Sequence, residues 1–195
     1  MAGSRVARAF ALRQVASNQG GYFTASQARD AGYSYQAQAH HVAAGNWLRV
    51  HRGIFRTEDE PYELHDDKFQ WILWSKGRAV ISHETALDVH GIGELESGKT
   101  QVTVPPGFTM RHRALKVHHA ALEELDLDER SAFPVTTVLR SIIDVAAVHV
   151  DGDQLARLVD EAVVEGHCTV LELRQRSEAI DLRAALDIER ALSSM

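Results

Sequence analysis

The chain has 195 residues, of which 45% are hydrophobic and 25% charged, with a formal net charge of −6. Those proportions are ordinary for a soluble globular protein, and no run of about 18 apolar residues is present to span a membrane. Its single cysteine, Cys168, excludes an internal disulfide and a cysteine-rich zinc site, so a cytoplasmic location is expected. The charge is unevenly spread. Residues 1–56 hold seven arginines (5, 8, 13, 29, 49, 52 and 56) against one acid, Asp30, a local +6 that leaves −12 for the remainder. A basic first third points to a part that meets polyanions and an acidic body that does not.

The opening MAGSRVARAFALRQVAS has arginines throughout and lacks the apolar block of a secretory signal; it reads as a helix over residues 5–17. Asn18-Gln19-Gly20-Gly21 breaks that helix, and Tyr22-Phe23 follows as a short extended pair. Thr24 and Gln27 have the spacing of a capping box, opening a two-turn helix over residues 25–31 that stops at Gly32. Ser34 caps a further helix ending at Gly45. Two short helices joined by a tight glycine-containing turn make a helix-turn-helix. At 100° per residue, Tyr35, Ala39, Val42 and Ala43 of the second helix share a stripe suited to the core. His40, His41, Ala37 and Ala44 face away from it, with Gln36 at the flank. Gln and His beside small alanines can reach base edges in a DNA major groove, although a plain polar surface helix has the same look.

Residues 47–56, WLRVHRGIFR, read as a β-hairpin turning at His51-Arg52-Gly53. Leu48, Val50 and Ile54 are placed on an apolar side with Trp47 at the start, leaving Arg49, His51, Arg52 and Arg56 for the outer side or the tip. Helix, turn, helix and basic hairpin is the order of a winged helix. Arg49, Arg52 and Arg56 would then meet phosphates, while Gln36, His40 and His41 read sequence.

The run GGYFTASQARDAGYSYQAQAHHVAAGNWLRVHRGIFR resembles the N-terminal winged helix of AbiEi-family antitoxins of type IV toxin–antitoxin systems. ISHETALDVHGI, QVTVPPG and FPVTTVLRSIIDVA extend the likeness more weakly, and the C-terminus matches least. The resemblance implies a repressor that binds inverted repeats in double-stranded DNA at its own promoter. It also implies a C-terminal domain that counteracts a nucleotidyltransferase-type toxin. On this chain it carries over the wing (Arg49, Arg52, Arg56) and the exposed helix face (Gln36, His40, His41).

Past the acidic stretch Glu58-Asp59-Glu60-Pro61, the body reads as a mixed α/β domain. A helix is expected over residues 63–75, then a short strand and a helix that Ser82 caps and Gly91 ends. Strands are expected over residues 101–104, 114–120 and 131–135. Two amphipathic helices follow, with Leu139, Ile142, Ile143, Ala146 and Ala147 on one and Leu155, Leu158, Val159, Ala162 and Val163 on the other. Asp151-Gly152 separates them, and a Thr169–Glu172 capping box starts a helical tail. The expected class is α+β: a winged helix-turn-helix over residues 1–60, then a mixed α/β domain over 61–195.

Eleven histidines invite a metal, yet their spacings give no local ligand pair. His118 and His119 point to opposite faces of a strand, and His40 and His41 diverge on their helix. His83 and His90 lie roughly 10 Å apart along theirs. Adjacent Ser82 and His83 make a poor nucleophile relay, no phosphate-cradling glycine loop is complete, and the acids of ELDLDER read as a solvated loop. The expectation is a DNA-binding protein without catalytic residues, metal or cofactor. A ligand-sensing transcription factor and a nuclease targeted by the winged helix remain as alternatives.

Overall fold

In the computed structural model, which describes residues 2–93, 98–148 and 151–194, the first element is helix α1 (Ala2–Ser17). Strand β1 (Tyr22–Thr24), helices α2 (Ala25–Asp30) and α3 (Tyr35–Ala43), and the hairpin β2 (Trp47–His51) and β3 (Ile54–Thr57) follow in turn. The caps form as their residue types demand. Thr24 Oγ1 accepts from the Gln27 amide at 3.1 Å while Gln27 Oε1 accepts from the Thr24 amide at 2.8 Å, and Ser34 Oγ accepts from the Ala37 amide at 3.2 Å.

Both neighbours of β3 are antiparallel to it, in the order β1-β3-β2. On one face Phe23 and Phe55 lie beside each other and join Leu12, Ala16, Ala28, Tyr33 and Trp47 in a single core beneath the helices. Phe23 and Tyr33 meet the Trp47 ring edge-on, with centroids 4.9 and 5.1 Å away. Tyr22, Arg56 and Leu48 are in register on the opposite face. Helix α4 (Phe69–Trp74), preceded by a single 3-10 turn at Asp66–Lys68, packs against β1 and β3. The expected helix over residues 63–75 is therefore shorter. The chain divides into two compact units after Arg78, so residues 61–78, which the sequence assigns to the body, pack with the winged helix.

The second unit, Ala79–Met195, has a sheet ordered β4 (Val80–Ile81), β5 (Thr100–Val104), β6 (Leu115–His119). Strands β4 and β5 are antiparallel, whereas β5 and β6 run parallel. Helix α5 (His83–His90) ends at Gly91, whose φ of 73° suits a glycine. Helices α6 (Val138–Ala147), α7 (Gly152–Val164), α8 (Val170–Ile180) and α9 (Leu182–Ser194) complete the unit. Their apolar stripes meet: Ile142, Ile143, Leu155, Leu158, Val159, Leu173 and Ile188 are fully or almost fully buried together with Leu87 and Ile92. The fold is α+β, as expected. Residues 131–135 do not form the expected third strand. Pro134 has no amide to donate, and only single bridges, Ile81 to Val135 and Leu127 to Thr136, join this segment to its neighbours. The helical tail breaks at Asp181, whose extended backbone separates α8 from α9.

Candidate nucleic-acid interface

Helix α3 turns a different side outward from the one its periodicity indicates. Gln38 is buried, and its Nε2 donates to the carbonyls of Ala25 and Tyr33, both at 3.1 Å. Those two bonds fix the rotation of α3 against α2. With Gln38 inward, Ala37 and Val42 pack against the core, and Tyr35, Gln36, Ala39, His40 and Ala43 are exposed. Tyr35, Ala39 and Ala43 thus leave the expected core stripe. Polar Gln38 takes the place because an amide can satisfy buried carbonyls where an alanine cannot. Gln36 and His40 sit one turn apart on the outer face, as candidate base-reading residues must.

His41 is pulled the other way. Its ring stacks on Trp47 at 4.7 Å and meets Tyr33 edge-on at 5.3 Å, and Asn46 Nδ2 lies 3.2 Å from its Nδ1. Burial, with His40 and Arg8 nearby, lowers its pKa below the ordinary imidazole value. His41 is half-buried and anchors the end of α3, so its availability to a base edge is less than that of Gln36 or His40.

The hairpin presents Arg49 and Arg52 to solvent. Arg52 occupies the turn with Gly53, whose φ of 74° a side chain would resist. The Gly53 carbonyl accepts from the Ala25 amide at 2.8 Å, which ties the tip of the wing to the start of α2. A bulge between Arg49 and His51 leaves Val50 as the extra residue, and the Arg49 guanidinium lies over the Phe55 ring, 5.7 Å from its centroid. Arg56 corrects the sequence reading. It is 2% exposed, and its guanidinium donates to the carbonyls of Gly20, Thr57, Glu60 and Pro61 at 2.8–3.2 Å. The rings of Tyr22 and Tyr62 lie against it, with the Tyr62 centroid at 3.4 Å. An isolated hairpin would leave Arg56 outside. Here β1 makes β3 the central strand, and the chain beyond Thr57 folds over its second face.

The sequence counts Arg29 only among the basic residues and places Tyr35 in the core stripe, assigning neither to the interface. The Arg29 guanidinium donates to the Tyr35 hydroxyl at 3.3 Å and lies over its ring at 5.2 Å, both side chains being exposed at the start of α3. An arginine six residues before the expected groove-facing helix was the available signal.

In the second unit the acids that converge meet arginines. Arg140 Nη1 donates to Asp126 Oδ2 at 2.7 Å and its Nε to Asp144 Oδ1 at 2.8 Å, and Arg176 Nη2 donates to Asp126 Oδ1 at 2.9 Å. Among the described residues, no group of three or more His, Cys, Asp or Glu side chains is placed to hold a metal ion. Ser82 begins α5 without capping it. Its hydroxyl accepts from Thr103 at 2.8 Å and lies 3.0 Å from His83 Nδ1. The His83 ring stacks on His118, with centroids 3.5 Å apart. Burial holds the His83 pKa down at about 2 and that of His118 at about 4, while it lifts Asp144 to about 6. Ser82 is fully buried.

A helix-turn-helix whose second helix exposes Gln36 and His40, followed by a hairpin with an arginine tip, defines the first unit as a winged helix. Residues 11–57 match the family model for the AbiEi antitoxin, described as a transcriptional regulator, so the resemblance read from the sequence holds over that stretch. Among solved structures, the crystal structure of the RV2827C protein from Mycobacterium tuberculosis is similar in fold, with a TM-score of 0.61 at 13% identity. That match covers 92% of this chain and 75% of the other. No curated protein matches the sequence. Among the described residues, no helix is long and apolar enough to cross a membrane.

Proposed function

We propose that this protein is a DNA-binding regulator that represses its own operon and counteracts a nucleotidyltransferase-type toxin encoded beside it. The observation that carries the DNA half is the exposed pair Arg49 and Arg52 on a hairpin pinned to the helix-turn-helix, next to an α3 face bearing Gln36 and His40. The family match over residues 11–57 supports the regulatory role and the antitoxin reading. The wing arginines neutralise backbone phosphates on any sequence, and Gln36 and His40 supply preference in the major groove. Arg29 and Tyr35 stand where the helix enters that groove and add a contact there. Two copies on an inverted repeat gain affinity by linked binding.

A reporter fused to the gene's own promoter tests the regulatory half. Repression by the wild-type protein, relieved by Gln36→Ala with His40→Ala at unchanged protein level, is expected; repression that survives this change contradicts the assignment. Growth of cells carrying the neighbouring toxin gene tests the other half. Rescue is expected from the full chain, and its absence removes the antitoxin role while leaving the regulator intact.

A further inference from the structure

The acidic second unit contains one basic stretch. Between Phe108 and Leu122 there is no acid, while Arg111, Arg113, Lys116 and three histidines crowd into it. Arg111, Arg113 and Lys116 are all exposed, and among the described residues none of them forms an ion pair. This stretch includes β6, the edge of the second sheet.

The geometry of that edge is specific. The Ala114 carbonyl accepts from Thr100 and the Ala120 amide donates to Val104, so the even-numbered residues of β6 turn their backbone groups toward β5. In a parallel ladder the alternate residues, Val117 and His119, then direct N–H and C=O away from it. No described strand pairs with that side. The same odd-numbered side chains line a groove of about 510 Å³, floored by Phe108, Leu115 and Val117 and rimmed by Arg111, His112 and His119.

We propose that the β6 edge is a docking site for an extended acidic segment of a protein partner, which adds to the sheet as a further strand. Backbone pairing supplies the open donors and acceptors of Val117 and His119 with partners, alternate apolar side chains of the guest cover Val117 and Leu115, and its carboxylates meet Arg111, Arg113 and Lys116. Like charges disfavour a second copy of β6 in the same place, since pairing would set basic stretch against basic stretch. A nucleic acid would answer the charge but leave the strand amides and the apolar floor unused. The inference is independent of the DNA-binding reading of the first unit.

The test uses the full chain and a synthetic nine-residue peptide of alternating glutamate and valine. Three companions complete it: a lysine–valine peptide, the acidic peptide N-methylated at alternate residues, and a single-stranded oligonucleotide of equal charge. Binding of the acidic peptide is expected, with slowed hydrogen exchange at the Val117 and His119 amides. Arg111→Glu with Arg113→Glu should weaken it by about tenfold or more, the change alternating two exposed charges only. N-methylation should weaken it at least as much, because it removes the guest's strand donors while keeping its charge. No binding of the acidic peptide, equal binding of its N-methylated form, or equal loss of the oligonucleotide and the peptide on charge reversal would each overturn the proposal.

Discussion

Arg56→Ala separates a structural arginine from a phosphate-binding one. The guanidinium of Arg56 makes four hydrogen bonds to carbonyls and is sandwiched by two tyrosines at 2% exposure. A hydrogen bond to a charged group contributes about 1.5–3 kcal/mol, so the four here amount to about 6–12 kcal/mol, and water entering the vacated space recovers more than half of that, leaving a loss of about 3–5 kcal/mol. For a unit of this size, a loss of about 3 kcal/mol lowers the midpoint by more than about 12 °C. Tryptophan fluorescence reads the right unit, because Trp47, Trp71 and Trp74 all lie before Arg78. Arg56→Lys keeps the charge but cannot span four carbonyls, so it too should melt early. By contrast, Arg52→Ala should leave the melting curve unmoved. If Arg56→Ala kept the wild-type midpoint and lowered DNA affinity as Arg52→Ala does, the structural role assigned to Arg56 would be wrong.

Three further outcomes are expected. Gln38→Ala should cost the first unit about 2 kcal/mol by stranding the Ala25 and Tyr33 carbonyls, whereas Gln36→Ala should cost nothing in the same melt. Acid should weaken the second unit. His83 and His118 are held below their unfolded pKa of 6.5, so their contribution is fully present above pH 6.5 and is lost as pH falls toward 4; for buried His83 the loss is about 1.4 kcal/mol per pH unit. Asp144, raised to about 6, acts oppositely between pH 6 and its unfolded value of 3.8, so Asp144→Asn should steepen the acid loss followed by helical circular dichroism. A shallower loss in that variant would reverse the sign assigned to Asp144.

Local chemistry was legible and long-range coverage was not. The Thr24 and Thr169 boxes, the Ser34 cap, the Gly53 turn and the stripes of α6 and α7 each depend on residues within a few positions, and all of them form. The side of α3 that faces inward depends instead on where two carbonyls of α2 and its turn are left unsatisfied, which sent Gln38 in and Tyr35 out. Arg56 is buried because its strand gains β1 as a partner far upstream, with Tyr22 paired to Arg56, and a cover from residues 60–62. The His83–His118 stack joins side chains on two elements that no spacing rule connects. At the candidate interface, Gln36, His40, Arg49 and Arg52 stand exposed where the sequence put them, and His41 and Arg56 turn inward to aromatic rings and carbonyls.

The salt dependence of duplex binding tests the central claim most directly. Affinity of the full chain for its promoter duplex, measured across a range of salt concentrations, should fall linearly on a double-logarithmic plot. Arg49→Ala with Arg52→Ala should lower that slope by roughly two, on specific and unrelated duplexes alike, with the melting curve unchanged. A slope identical to that of the wild type would contradict the assignment of the hairpin to the DNA backbone.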